Sequence, residues 1–256
     1  MIRLSRPIAL ALSVLALLVV DPFVASAQPP PSLSEISERL DDLYRSRASI
    51  ARMEIEIVTP NRTRSMRIRA WSRGENRSLI RIEAPARERG TATLRRDRNL
   101  WNFLPRISRT IRVPPSMMLS GWMGSDLTND DLVRSSSLED DFDGSVVGPD
   151  PEGRGWLIRY EARPGTVGLW RRIETVVNQA GTIPIESRYY DRRMRLARTM
   201  TYSEVREMDG RRIPTVLTIQ PNDRPGHRTV MRYVDLDFDA SVSESTFSLS
   251  ELEQQR

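Results

Sequence analysis

Residues 83–132 read EAPARERGTATLRRDRNLWNFLPRISRTIRVPPSMMLSGWMGSDLTNDDL, and the rest of the chain is arranged around them. The stretch opens on a proline-containing turn at Pro85 and a Gly-Thr pair at Gly90-Thr91. Two short strand-like runs follow, Ala92–Arg95 and Leu100–Leu104. A basic segment from Arg106 to Arg112 comes next, closed by Pro114-Pro115. Beyond the prolines lie Met117-Met118-Leu119 and Trp122-Met123, then Gly124-Ser125-Asp126 and an acidic pair, Asp130-Asp131, that reads as a solvated turn. Flexible, unbranched apolar side chains placed directly after a basic segment are what a soluble chain uses to touch lipid or another protein. The alternation of Ile107, Thr110-Ile111 and Val113 with Arg106, Arg109 and Arg112 makes the basic segment partly strand-like. Those arginines read either as a wet sheet face or as a contact to phosphate or an acidic partner.

Toward the N-terminus, Ser32-Leu-Ser-Glu35 is a capping box. Leu33, Ile36, Leu40, Leu43 and Tyr44 then share one helical face, so a helix is predicted from Leu33 to Arg47 with its stripe against a concave sheet. From Ala51 the period becomes two. Met53, Ile55 and Ile57 alternate with Arg52, Glu54 and Glu56; Met66, Ile68 and Ala70 alternate with Arg67, Arg69 and Trp71; a third strand runs from Ser78 to Glu83. Short turns between such strands favour an antiparallel meander.

Toward the C-terminus, 135–155 is polar and reads as an irregular loop. Within it Asp140-Asp141-Phe142-Asp143-Gly144 looks like half of a calcium loop but lacks the remaining ligands, so a solvated loop is expected. Strands are predicted near Trp156–Arg163, Leu169–Asn178, Ile183–Asp191, Leu196–Met208, Ile213–Gln220 and Arg228–Asp237. A sheet of this size must curl. Phe247-Ser-Leu249 is placed to pin the tail back on it. The fold class is therefore mainly β with α, a strongly curved antiparallel sheet plus an N-terminal helix.

The first 27 residues read as a cleaved signal peptide, an uncleaved anchor helix being the competing reading: Arg3 and Arg6, an apolar run from Ile8 to Val20, and Ala25-Ser26-Ala27 before Gln28. Residues 28–256 are expected to be one soluble periplasmic domain. With no cysteine there is neither a lipid-anchor site nor a disulfide. One histidine, His227, and no cysteine make a metal site unexpected, and no cofactor is implied. All 39 basic residues are arginine, and the net charge of +5 is spread among acids, which argues against nucleic acid. No catalytic residue is assigned: His227 lies in a turn-like Pro-Gly-His-Arg and no nucleophile motif accompanies it.

A curled sheet under a helix leaves a concavity, and Met53, Ile55, Ile57, Met66, Ile68, Trp101, Phe103, Met117, Met118, Leu119, Trp122 and Met123 are the residues expected to line it, ordinary core being the competing reading. The run Met117–Met123 would form a lid opening to an acyl chain. Asp126 is placed to cap the turn after it.

The order Pro85, Gly90-Thr91, Leu100-Trp101, Leu104-Pro105, Arg109 through Arg112, Met123-Gly124-Ser125-Asp126 and Asp131-Leu132 resembles the outer membrane lipoprotein-sorting protein family, relatives of the periplasmic carrier LolA. Phe247 resembles that family's usual ending. The resemblance implies an unclosed β-barrel with a helical lid, in which Pro85, Gly90, Gly124, Ser125, Asp126 and Asp131 are structural. It implies a monomeric, non-enzymatic periplasmic carrier for lipid or lipoprotein acyl chains, making transient membrane contact. Family members often accompany RND-type (MMPL-like) inner-membrane exporters, so such a transporter is the implied partner. The alternatives are an accessory subunit bound to a transporter without free ligand, and an RseB-like sensor, which would need a second domain.

Overall fold

Alternation builds the sheet. In β1 (Ala48–Thr59) Ala51, Met53, Ile55 and Ile57 are buried while Arg52, Glu54 and Glu56 are exposed. β2 (Arg62–Arg73) lays Met66 against Ile55 and Ile68 against Met53, so the buried face continues across strands. β3 (Arg77–Ala84), β4 (Ala92–Arg96), β5 (Asn99–Leu104) and β6 (Arg109–Arg112) follow as a meander. β7 (Phe142–Pro149), β8 (Gly155–Ala162), β9 (Trp170–Asn178), β10 (Pro184–Asp191), β11 (Leu196–Met208), β12 (Arg211–Pro221) and β13 (Arg228–Asp237) form a second meander. The computed structural model describes residues 31–44, 46–134, 141–166 and 168–254. The signal peptide expected at residues 1–27 lies outside them.

All strands pair antiparallel in one 13-stranded sheet, ordered β6-β5-β4-β3-β2-β1-β13-β12-β11-β10-β9-β8-β7. The chain starts in mid-sheet, winds out to one edge, and re-enters at the far edge before winding back to pair β13 with β1. The sheet is not closed: β6 and β7 are its edges.

Helix α1 (Leu33–Tyr44) shows that the sheet curls. Its Ile36 packs with Phe142, Ile158 and Ile173 of β7, β8 and β9, and its Leu43 packs with Met53, Met66 and Ile82 of β1, β2 and β3. A 12-residue helix is about 18 Å long, while β2 and β8 would lie roughly 35 Å apart in a flat sheet. Only a sheet wrapped round the helix lets one end reach each group. The capping box holds as expected, with Ser32 N–H donating to Glu35 Oε2 at 2.9 Å and Glu35 N–H to Ser32 Oγ at 3.3 Å. The helix ends at Tyr44, short of the predicted Arg47, because β1 begins at Ala48.

Residues 135–155 are not simply an irregular loop: β7 lies within them. Its inward positions are Phe142, Gly144 and Val146. A Cβ on Gly144 would sit 2.9 Å from Leu33 Cδ2 of α1 and 3.2 Å from the Tyr160 ring, so the space a side chain would take is already filled by α1. The missing side chain erased the period-two signal. Asp143, read as part of a calcium-like loop, is a strand residue whose carboxylate accepts from Arg163 Nε at 2.8 Å; Asp140 lies outside the described residues.

The tail covers the outer face of β3–β5. Val242, Phe247 and Leu252 are buried with Leu79, Ala92, Leu94 and Phe103, and Arg81 donates from beneath to the carbonyls of Glu251 (2.8 Å) and Gln254. The anchors are Phe247 and Leu252 on α3 (Leu249–Leu252) and its lead-in; Leu249, expected to share the role, is exposed.

Candidate functional site

Because β6 and β7 are opposite edges of a curled sheet, the connection between them crosses its open side. Residues 113–134 and Asp141 are the described part of that crossing, and Trp122 and Leu127 carry it over the inner face. The floor beneath is apolar: Met53, Ile55, Ile57, Met66 and Ile68 are all buried, with Ile82, Ile213 and Leu236. The chain fills this concavity with its own side chains. Trp122, 2 % exposed, sits in the same cluster, with Met123 and Leu132 packed against it. Trp122 Nε1–H donates to Thr93 Oγ1 of β4 at 3.0 Å, which leaves no buried donor unpaired on the ring.

The crossing segment is closed on itself. Asp130 N–H donates to the Met118 carbonyl (2.8 Å), Asn129 N–H to Ser120 (3.0 Å) and Trp122 N–H to Leu127 (2.6 Å). A compact loop whose ends meet can move as a unit without losing these bonds. Helix α2 (Asn129–Arg134) begins with a reciprocal cap: Thr128 N–H donates to Asp131 Oδ2 (2.8 Å) and Asp131 N–H to Thr128 Oγ1 (3.1 Å). The cap is therefore Thr128 with Asp131, not Asp126 as expected.

Polar contacts fasten the loop to the sheet. The Asp126 carboxylate, buried, accepts from Thr229 Oγ1 of β13 at 2.8 Å and from Arg224 Nη2 at 2.8 Å. Arg64 of β2 donates to the Met123 carbonyl at 2.8 Å and also bonds Glu88. Gly124 follows at φ +76°, a left-handed turn where a side chain would be strained. Asp131 is not a solvated turn residue: it takes a bidentate fork from Arg198 of β11, Nη1 to Oδ2 at 2.6 Å and Nη2 to Oδ1 at 2.8 Å. Burial alone would raise the Asp131 carboxyl, but the Arg198 charge and the Arg198 and Thr128 hydrogen bonds outweigh it and hold it below the usual carboxylate range.

Arg198 was not singled out from the sequence. It is 5 % exposed, with its guanidinium carbon 4.2 Å from the Tyr189 ring centre and 4.6 Å from that of Trp170. Its buried Nε–H has no hydrogen-bond partner among the described residues. Beside it Ser187 Oγ lies 2.9 Å from Thr175 Oγ1 and 3.4 Å from Tyr202 Oη. Burial pushes both the Tyr189 and Tyr202 phenols up, so both stay neutral. The one signal available was phase: Arg198 shares its strand face with Met200 and Tyr202, where an arginine is out of place.

The predicted lining residues divide. Met53, Ile55, Ile57, Met66, Ile68 and Trp122 meet on the inner face, with Met123 beside them. Met118 packs in a satellite group with Leu100, Val113 and Leu132, while Met117 and Leu119 are exposed at 52 % and 47 %. Trp101 and Phe103 do not line the concavity. They pair with Leu94 and Ala92 and lie on the outer face under the C-terminal cover. In Leu-Trp-Asn-Phe-Leu both strand phases carry apolar residues, so alternation could not choose the face. Pro85 and Gly90 form the turn between β3 and β4, with Gly90 N–H donating to Ile82 at 2.9 Å. Ser125 Oγ donates to the Trp122 carbonyl at 2.7 Å inside the loop.

Arg109 and Arg112 are on edge strand β6, and Arg106 is in the turn before it. Arg112 bonds Asn99 and lies 6.0 Å from the Trp101 ring centre. Ile107 and Ile111 are exposed among them. Residues 98–125 contain no Asp or Glu at all.

A protein-family model described as "-like: Uncharacterized protein" matches residues 74–254. No curated protein matches the sequence. Among solved structures, a DUF1329 family protein from Desulfovibrio piger is 22 % identical, with a TM-score of 0.78 over 88 % of this chain and 100 % of that one. A domain described as an outer membrane lipoprotein-sorting protein, from Vibrio parahaemolyticus, is 18 % identical, with a TM-score of 0.73 over 86 % of this chain and 97 % of that one. A LolA superfamily protein from Nitrosomonas europaea is 22 % identical, with a TM-score of 0.72 over 86 % and 99 %. At these identities the likeness is one of fold.

Proposed function

We propose that this chain, which belongs to the family whose model spans residues 74–254 and has the fold of the LolA superfamily, is a non-enzymatic periplasmic carrier that takes up the acyl chain of a lipid or lipidated molecule. The observation that carries the reading is the self-filled concavity: an apolar floor is occupied by Trp122 and Met123, on a loop fastened to the sheet by Asp126, Asp131 and the Met123 carbonyl. Lifting the loop exposes a floor that an acyl chain can re-cover, at about 0.8 kcal/mol per buried CH₂. Transfer needs that gain to be nearly matched by the energy of re-seating the loop, with Trp122 back in the core and its polar fastenings remade. Methionines on floor and loop (Met53, Met66, Met118 and Met123) adapt to chains of different shape.

The basic edge serves this function as the face that meets the membrane. Arg106, Arg109 and Arg112, with exposed Ile107, Ile111, Met117 and Leu119, suit an anionic lipid surface, with aliphatic side chains dipping in and guanidinium groups on phosphate. An RND-type inner-membrane transporter is the partner proposed to load or unload the carrier.

The test is Met118→Asp. Met118 is half-buried at the base of the loop. The expected result is a thermal midpoint within a few degrees of the parent and loss of a fluorescent fatty-acyl probe that the parent binds one to one. A parent that takes up no probe, and comes from the periplasm with a stoichiometric protein partner and no lipid, is an accessory subunit instead.

A further inference from the structure

The Arg198–Asp131 pair spans two parts that the carrier reading separates. Arg198 belongs to the sheet, on β11, and Asp131 belongs to the loop, on α2. Among the described residues Asp131 is the carboxylate that pairs with Arg198. When the loop lifts, Asp131 leaves with it and the guanidinium remains inside an apolar concavity, stacked on Trp170 and Tyr189. A charge in such surroundings demands a new counter-ion or water. An amphiphile whose tail covers the floor brings its headgroup to the same cavity.

We propose that Arg198 is the headgroup site of the cargo, and that it selects amphiphiles ending in an oxyanion, a carboxylate or a phosphate, by exchanging Asp131 for the ligand. The proposal rests on the carrier reading and names the class of cargo. The geometry supports it in three ways. Asp131 engages Nη1 and Nη2 end-on, the arrangement a carboxylate or phosphate ligand would copy. Nε–H, buried and without a partner among the described residues, is left for a further acceptor, and a phosphate has a third oxygen to offer it. The neighbouring Tyr189 and Tyr202 are neutral phenols, and among the described residues Asp131 is the carboxylate that pairs with Arg198, so the anion it holds is the one a ligand would replace. The Asp131 carboxylate is thus the protein's own stand-in for the headgroup in the closed form, as Trp122 is for the tail.

The experiment uses the exported protein and three probes with one tail: dodecanol, dodecanoate and dodecyl phosphate, each displacing a bound fluorescent acyl probe. Both anions should displace at least about tenfold better than the alcohol, the scale of charge-assisted hydrogen bonds. Dodecyl phosphate beating dodecanoate assigns Nε to the third oxygen; the reverse order assigns a carboxylate cargo. The double variant Arg198→Met with Asp131→Leu removes both charges together, a replacement that buried pairs tolerate. It should bring the anion-to-alcohol ratio to about one. Equal displacement by all three probes in the parent overturns the headgroup site while leaving the carrier intact, and so does an unchanged ratio in the double variant. If no probe displaces, both readings fall together.

Discussion

The same sheet is covered on both faces, and the two covers are held differently. On the outer face the C-terminal segment is anchored by apolar side chains, with Val242, Phe247 and Leu252 buried against Leu79, Leu94 and Phe103. On the inner face the loop also buries apolar side chains, Trp122 and Leu127, but adds carboxylate fastenings to the sheet: Asp131 to Arg198, and Asp126 to Arg224 and Thr229, with the Met123 carbonyl to Arg64. An apolar anchor has no alternative partner in water. A charged latch does, because both ends can be hydrated when they part. On the carrier reading the outer cover stays part of the core, and the carboxylate fastenings are what allow the inner one to be released.

The contrast is broken or sharpened by substitution. The largest effect is expected on the outer face. Phe247→Ala should cost about 3–5 kcal/mol of global stability in denaturant unfolding, the usual range for a buried phenylalanine. A loss below about 1 kcal/mol would make the tail as detachable as the loop and remove the contrast.

A smaller effect is expected from Asp131→Asn. Breaking a fully buried pair costs about 3–5 kcal/mol when the remaining charge stays buried. If the loop lifts, Arg198 regains water and the cost is limited to that of opening, so roughly 1–2 kcal/mol is expected, together with faster proteolysis within residues 117–134. The full 3–5 kcal/mol would place the loop in the core. The pH dependence has a definite sign. The Asp131 carboxyl lies below its ordinary value in the folded chain, so its stabilisation is complete at neutral pH and is lost as pH falls through the folded value. The difference between parent and Asp131→Asn should hold at neutral pH and close below about pH 4.

The smallest structural effect is expected at the sheet edge. Replacing Arg106, Arg109 and Arg112 by Gln should change stability by less than about 0.5 kcal/mol, as exposed substitutions do. It should nevertheless weaken co-sedimentation with phosphatidylglycerol vesicles and flatten its salt dependence. An unchanged salt slope would leave these arginines as the solvated edge of a short outer strand, where charges block pairing with another chain.

Much of this architecture was legible in the amino-acid order. Local alternation located β1–β3 and β8–β13, because each residue's face in a strand follows from its parity. The capping box fixed the start of α1, because both partners lie within four residues. The chain also showed in advance that 113–132 breaks the strand rhythm, since prolines, glycines and methionines there fit no period. Three things were left to the tertiary structure. Gly144 belongs to a strand because Leu33, over a hundred residues away, fills its side-chain space. Trp101 and Phe103 face outward because the C-terminal segment covers that side, and a run apolar in both phases has no face of its own. Arg198 and Asp131 meet because the chain crosses from one sheet edge to the other over the concavity, bringing α2 down on β11. Arg81, Arg95 and Arg198 are all buried, and strand phase alone hints at Arg198; its partner, and with it its role, is set by a contact 67 positions away.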